Sequence, residues 1–345
     1  MKMTTIGIDL AKSLLQVHGV DEHGQVVLRK QLKRKDVLSF FANREPCLIG
    51  MEACGSAHYW ARKLAELGHT VRLMAPQFVK PYVKTNKSDR NDAEAICEAV
   101  GRPNMRLVPV KTAPMQAVLA LHRARQGFVK APTAQANQIR GLLAEFGLVM
   151  AKGIAHIGKR LPEILEDGEN DLPGMMRQWL ERLGENLKER DKQVGELERQ
   201  IKLWHGENEQ SRKLEAIAGI GPITASALVA TVGDAKSFKN ARPVPAWLGM
   251  VPRQDGSGGK VTLGKISKRG DVYLRTLLIH GARSVIAQIE RKPDQADEWL
   301  KKLLARRNKN VAAVALAAKN ARIAWALLAH ERSYQCDYVA KRSAA

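Results

Sequence analysis

The sequence predicts a mixed α/β domain followed by a mostly α remainder. Three observations predict it. The first hundred residues carry short apolar runs with a period of two, separated by helical patches. From Thr112 onward the apolar residues change to helical spacing within segments rich in Ala, Leu, Gln, Glu and Arg. At 345 residues and 45% apolar content, the chain is long enough for two or three domains with a real core.

Taken in order, Ile6–Leu10 alternates as a strand, Leu15–Val20 follows after a short gap, and His23-Gly24 turns the chain into a third strand, 25–32. Short connections make these an antiparallel meander. A helix over 35–43 leads to Cys47–Met51, which reads as a fully buried strand. Ser56 is placed to cap a helix running to Leu67 and ended by Gly68, before a fifth strand at Thr70–Met74. A meander followed by strands alternating with helices is the element order of an RNase H-like mixed sheet.

Residues 112–150 read as a helix that Pro132 kinks or splits. A second helix, 173–204, spaces Leu180, Leu183, Leu187, Val194, Leu197 and Ile201 three, four or seven apart among charged residues, in the manner of a coiled coil. Together they predict a long helical hairpin, an oligomerisation arm or else a plain helical linker. From Gln210 the chain reads as helices around a glycine turn, Ala218-Gly219-Ile220-Gly221-Pro222. A Gly- and Lys-rich loop over 251–269 and helices over 270–290 and 297–333 follow. Pro243 and Pro245 interrupt 241–247, where a helix is expected. The domain expectation is 1–110 for the sheet domain, 111–209 for the arm and 210–345 for a helical C-terminal domain.

Charge narrows the partners. Fifty-six Lys and Arg against 35 Asp and Glu leave a formal charge of +21. Such a surface calls for a polyanion, with nucleic acid first. Basic clusters at Lys301-Lys302, Arg306-Arg307-Asn308-Lys309 and Lys341-Arg342 add to it. No run approaches the roughly 18 consecutive apolar residues of a membrane span, and no secretory signal is evident. Cys47, Cys54, Cys97 and Cys336 form no C-x-x-C pair, which fits a reducing cytoplasm better than structural zinc or disulfides.

Four carboxylates stand out. Asp9 sits mid-strand, opposite the face of Ile6, Ile8 and Leu10, where a lone carboxylate is costly unless solvated, paired or cation-bound. Glu52 ends the Leu48–Met51 run at a strand-to-helix turn. Asp89 and Asp92, three apart at a helix start, share a face. Converging, they would hold a hard cation such as Mg²⁺ or Mn²⁺ suited to phosphodiester chemistry. Taken singly, Asp89 reads as an N-cap, Asp92 as a favourable first-turn charge and Glu52 as a solvated strand end.

Two further motifs point to nucleic acid. Ser257 lies between glycines, which permit close backbone approach to a phosphate, and Arg253, Lys260, Lys265, Lys268 and Arg269 supply positive charge. On spacing alone the segment is equally a Gly/Ser hairpin tip. Gly219 and Gly221 between apolar helices read as a helix-hairpin-helix that grips a DNA phosphate through backbone N–H groups, or as an ordinary helix–helix turn.

These residues fall into ordered blocks. They are Gly7-Ile8-Asp9-Leu10-Ala11-Lys12, Met51-Glu52-Ala53-Cys54-Gly55, Lys87-Ser88-Asp89-Arg90-Asn91-Asp92-Ala93, Gly219-Ile220-Gly221-Pro222, Trp247-Leu248-Gly249, Pro252-Arg253-Gln254 and Ile266-Ser267-Lys268-Arg269-Gly270-Asp271. Over nearly its whole length the chain resembles the DEDD insertion-sequence transposases, serine-using recombinases guided by a bridge RNA. The resemblance implies a Holliday-junction-resolvase-like N-terminal domain of RNase H fold, with Asp9, Glu52, Asp89 and Asp92 as its metal-binding tetrad. It implies a C-terminal transposase domain in which Ser257, with Ser267 the alternative, forms a transient phosphoserine link to DNA. A covalent link conserves phosphodiester energy and suits rejoining. The resemblance also implies that a non-coding guide RNA pairs with donor and target DNA, that the protein assembles as a dimer to tetramer through the arm, and that it works in the bacterial cytoplasm at the nucleoid. The rival readings are a metal-dependent junction-resolving nuclease and a non-enzymatic nucleic-acid-binding scaffold.

Overall fold

The computed structural model describes residues 2–84, 88–292 and 297–335. Lys87, Cys336 and the Lys341-Arg342 cluster lie outside the described residues. The chain divides into two compact units, Met1–Met115 with Val232–Ser237, and Gln116–Thr231 with Phe238–Ala345.

The first unit is built on a six-stranded sheet. Strands β1 (Thr5–Leu10), β2 (Leu14–Val20) and β3 (Val26–Lys33) form the expected meander; α1 (Val37–Ala42), β4 (Leu48–Glu52), α2 (Ala57–Glu66), β5 (Thr70–Met74), α3 (Pro76–Val79), α4 (Asp89–Val100) and β6 (Leu107–Val108) follow. The spatial order is β3-β2-β1-β4-β5-β6, with β1, β4 and β5 parallel and the other pairs antiparallel. That arrangement is consistent with an RNase H-like domain. The two-residue β6 is too short to leave a periodic signal.

One sheet face buries Ile6, Ile8, Leu15, Val17, Ile49 and Met51 against Phe41, Trp60 and Leu64. Each large side chain so buried stabilises by about 1.5–3 kcal/mol. The other face is a glycine track under α4. A Cβ on Gly7 would stand 2.2 Å from the carbonyl oxygen of Ala93 and 2.4 Å from the amide nitrogen of Cys97. One on Gly50 would stand 2.7 Å from Val100 Cβ. The helix therefore rests on the sheet at backbone distance.

Ser56 occupies the N-cap position of α2, but its side chain makes no capping bond. Its backbone is left-handed, φ 69°, and its hydroxyl instead accepts a hydrogen bond from Arg34 at 3.0 Å. Gly68 ends the helix as expected, at φ 89°.

The second unit is mostly helical, with α5 (Ala113–Ala144), α6 (Ile154–Glu166), α7 (Gly174–Glu207), α8 (Glu209–Glu215), α9 (Pro222–Val232) and α10 (Pro243–Trp247). Then come β7 (Pro252–Ser257), β8 (Lys260–Ile266), α11 (Val272–Arg291), α12 (Glu298–Arg306) and α13 (Lys309–His330). Four expectations are corrected. Helix α5 runs through Pro132 without a break in its assignment. The two-helix hairpin is a three-helix packing, because Ile157, Leu161 and Ile164 of α6 share an apolar core with Ile139 and Leu143 of α5 and with Leu180, Leu183 and Leu187 of α7. Pro243 and Pro245 do not disrupt a helix. Both fall in the first turn of α10, where backbone N–H groups have no acceptor within the helix. The last expected helix is two, divided at Asn308, whose side chain caps α13.

By length and composition α13 could cross a membrane. It carries Lys319 and Arg322, and it buries Ala313, Ala317, Asn320 and Ala321 within the unit. Asn320 Nδ2 donates to the Ala218 carbonyl at 2.8 Å. These are the contacts of a core helix.

A buried polar relay joins α5, α9 and α11. Ser226 Oγ donates to the Pro222 carbonyl at 2.7 Å. The His122 proton therefore belongs on Nε2, 3.1 Å from Ser226 Oγ, and Tyr273 donates to Nδ1 at 3.0 Å. Burial, reinforced by Arg125, lowers the His122 pKa from 6.5 to about 4. As pH falls below 6.5 the unfolded chain takes up this proton first, so stability is lost toward pH 4, by roughly 2–3 kcal/mol at pH 4.5. Urea midpoints at pH 7 and 4.5 check this: His122→Gln should shrink the acid loss relative to the wild type.

Candidate functional site

The glycine track sets the site. Gly7 and Asp9 share a strand face, and α4 crosses Gly7 through Ala93 and Cys97. One helical turn before Ala93 lies Asp89, with Asp92 beside it, so the contact carries both toward Asp9. Oxygen atoms of Asp9, Asp89 and Asp92 all lie within 4.8 Å of one another. The N-cap role that Asp89 might have taken falls to Ser88, whose Oγ accepts from the Asn91 amide at 3.3 Å.

Glu52 is not in this trio. It ends β4, beside β1, and the parallel register that pairs Ile8 with Met51 carries Asp9 next to Glu52. Both carboxylates reach Cys54, whose thiol is held above its ordinary value by burial, then by Glu52 and Asp9. The structure thus gathers three of the sequence-derived acids tightly and sets the fourth on the adjoining strand end.

The donor set is all carboxylate, which suits a hard divalent cation. Oxygens across one Mg²⁺ lie about 4 Å apart, so the observed spacing fits with small adjustment. Three carboxylates this close repel by about 3 kcal/mol per pair at an effective dielectric of 20, before screening, and a cation relieves that repulsion.

The second sequence-derived feature lies in the other unit. The expected loop is a two-stranded antiparallel ribbon, β7–β8, turned by Gly258 and Gly259 at φ 56° and 79°. Positive φ at both central residues is the geometry that two-residue hairpins need. Loop composition hid the strands, because a ribbon exposed on both faces needs no apolar alternation. Every residue but Ile266 is exposed.

Ser257 pairs with Lys260 at the tip and Asp255 with Thr262, on one face; Gly256–Val261 and Gln254–Leu263 occupy the other. Arg253 sits at a register shift. Ser267, by contrast, lies at the ribbon's base, where the Arg269 amide donates to its hydroxyl at 3.5 Å. Lys268 and Arg269 are exposed there.

The ribbon's base is locked. A Cβ on Gly249 would lie 2.2 Å from the Arg269 carbonyl oxygen, and one on Gly270 would lie 1.9 Å from that of Trp247. Arg275, 8% exposed, donates from Nη1 to the Leu248 and Arg269 carbonyls, both at 2.9 Å. Sequence reading passed over Arg275. Its signal is an arginine next to Leu274 on the helix face that Leu278 and Ala282 make apolar.

Gly219 and Gly221 have different surroundings. A Cβ on Gly219 would lie 2.8 Å from the Gly281 carbonyl oxygen, so close packing on α11 explains that glycine. Gly221 is exposed and has nothing within 4 Å of a built Cβ.

Comparison with known proteins follows this geometry closely. A model for DEDD transposases of the IS110 group, described as Transposase, matches residues 6–147, and one described as Transposase IS116/IS110/IS902 family matches 211–298. The chain is 54% identical over 97% of its length to a Probable family 20 transposase of Pseudomonas aeruginosa, covering 99% of that protein. The chain belongs to the IS110 family of DEDD transposases. It is also 44% identical to the Transposase for insertion sequence element IS1111A of Coxiella burnetii, over 96% of this chain and 91% of that one. The Transposase for insertion sequence element IS1328 of Yersinia enterocolitica is likewise 44% identical, over 94% of this chain and 96% of its own. An IS110-family transposase is an enzyme that cuts and joins DNA strands, and the acidic trio fits the divalent metal such an enzyme uses.

Proposed function

We propose that this transposase recombines DNA through a phosphoserine intermediate at Ser257, with Asp9, Glu52, Asp89 and Asp92 holding Mg²⁺ or Mn²⁺ and a bridge RNA choosing donor and target. The observation that carries the metal half is the approach of Asp9, Asp89 and Asp92 to within 4.8 Å. The serine half is supported by Ser257 at the tip of an exposed cationic ribbon, opposite Lys260. A bound divalent ion supplies charge stabilisation to phosphoryl oxygens and lowers the pKa of a coordinated nucleophile or water.

The chain's own residues do the rest. Ser257 Oγ bonds to phosphorus as the bond from phosphorus to one deoxyribose oxygen breaks. The serine proton passes to solvent or a base, and the departing oxygen leaves as a hydroxyl. Attack on phosphoserine by a hydroxyl of another strand reverses the exchange, so no phosphodiester is lost. Lys260, Arg253 and Lys265 counter phosphate charge along the ribbon, and Lys268 and Arg269 do so at its base. Gly221, with Gly219 holding the turn, presents the start of α9 to a phosphate in a helix-hairpin-helix. Base pairing by the RNA would leave sequence choice largely outside the protein.

In this reading the sheet domain spans 1–110, the arm 111–209 and the transposase domain 210–345. The arm pairs protomers, coiled-coil fashion, into a dimer or tetramer. The protein acts in the bacterial cytoplasm at the nucleoid.

The test is a denaturing gel of protein incubated with its flanking non-coding RNA, labelled DNA ends and Mg²⁺. A protein–DNA adduct is expected, and Ser257→Ala should abolish it. An adduct that persists in Ser257→Ala removes the nucleophile assignment. Cutting that continues without any adduct makes the protein a hydrolytic nuclease instead.

A further inference from the structure

We propose that Arg34 is a positioning residue for the cation site, clamping together the two loops that leave the Asp9 and Glu52 strands. The proposal rests on reading the acidic cluster as a cation site. Arg34 lies far from every acid in sequence, just past the end of β3. Its Nη1 donates to the carbonyls of Ala11 and Lys12, both at 3.2 Å, two and three residues beyond Asp9. Its Nη2 donates to Ser56 Oγ at 3.0 Å, four residues beyond Glu52. The guanidinium also lies over the Trp60 ring, 5.4 Å from its centroid.

One planar group therefore ties the exit of β1 to the exit of β4, the two strand ends that present carboxylates. Arginine suits the task because its fork reaches several acceptors at fixed angles while its face packs on an indole; a lysine ammonium has no such geometry. Ser56 holds the other end of the clamp under tension. Its φ of 69° is strained for a residue with a Cβ. A conformation like that persists when its surroundings fix it, and it recurs at functional sites. Freed from the clamp, the 11–12 and 53–56 loops gain latitude, and the carboxylate oxygens spread. Groups that orient ligands from behind are worth 10–100-fold in metal affinity.

The test measures Mn²⁺ binding to the full-length protein, without DNA or RNA, by the electron paramagnetic resonance signal of free Mn²⁺. Melting temperatures are recorded alongside. Wild-type binding should disappear in Asp9→Asn. Arg34→Lys, which keeps the charge but not the fork, should weaken Mn²⁺ binding about tenfold. Ser56→Gly, which removes the hydroxyl and relieves the backbone, should weaken it severalfold without lowering the melting temperature. That combination separates positioning from mere stability. If Arg34→Lys and Ser56→Gly both bind Mn²⁺ like the wild type, the clamp is overturned and the cation site stands. If Asp9→Asn binds like the wild type, the site reading falls and takes the clamp with it. Should Arg34→Lys fail to fold, Ser56→Gly decides alone.

Discussion

Asp9→Asn and Asp92→Asn should each slow DNA strand cleavage by at least about 10³-fold while leaving the first unit folded. Each change removes one charged oxygen donor from a trio whose oxygens lie within 4.8 Å. Stabilising phosphoryl charge with a divalent ion is worth several kcal/mol, and each 1.36 kcal/mol is a factor of ten in rate. Stability should move the other way. Asparagine keeps the side-chain shape and removes like-charge repulsion, so the melting temperature measured in a chelator should hold or rise. Cleavage of labelled donor DNA in Mg²⁺ reads the first effect and thermal melting the second. Variants that still cut within tenfold of the wild type would show that the trio is a surface cluster with no part in the chemistry.

Gly7→Ala should be the most damaging single methyl group in the first unit. The added Cβ would meet backbone atoms, 2.2 Å from the Ala93 carbonyl oxygen and 2.4 Å from the Cys97 amide nitrogen. No rotamer change relieves such a contact, so α4 must lift from the sheet. Overpacking of a core costs about 1–3 kcal/mol, and a backbone collision belongs at or above the upper end. Because Asp89 and Asp92 ride on α4, the same lift draws them from Asp9. The expected result is a melting temperature lower by several degrees together with lost cleavage. Gly24→Ala is the control on cleavage, since nothing lies within 4 Å of a Cβ there; its φ of 77° adds only local turn strain. If Gly7→Ala melts and cuts like the wild type, the backbone contact is not what sets the site.

The meander, the buried strand at Cys47–Met51 and the helix ended by Gly68 were legible because apolar alternation and turn chemistry agree there. Asp9 was legible as an oddity, a carboxylate on a strand whose other residues are apolar. Its meeting with Asp89 and Asp92 was not, because that depends on how closely α4 rests on Gly7, eighty residues away in sequence. Helix α6 did leave a signal, Ile154, Ile157, Leu161 and Ile164 at helical spacing, but Gly153 and Pro162 argued for a break. The ribbon was hidden for the opposite reason. With both faces exposed, its strands bury no apolar set, and glycines and lysines read as loop. The bonds of Arg34 and Arg275 go to carbonyls supplied by distant segments, and only folding shows which carbonyls those are.

The ribbon has a consequence for how such proteins can diverge. A pair of strands with no layer beneath it adds little to domain stability, and this one is anchored only at its foot by Gly249, Gly270 and Arg275. Lengthening each strand by two residues would carry the tip about 7 Å farther out and keep its hydroxyl on the same side, whereas one residue per strand would turn it to the opposite side. Reach is thus adjustable in even steps, and the helices below need not change for it to evolve.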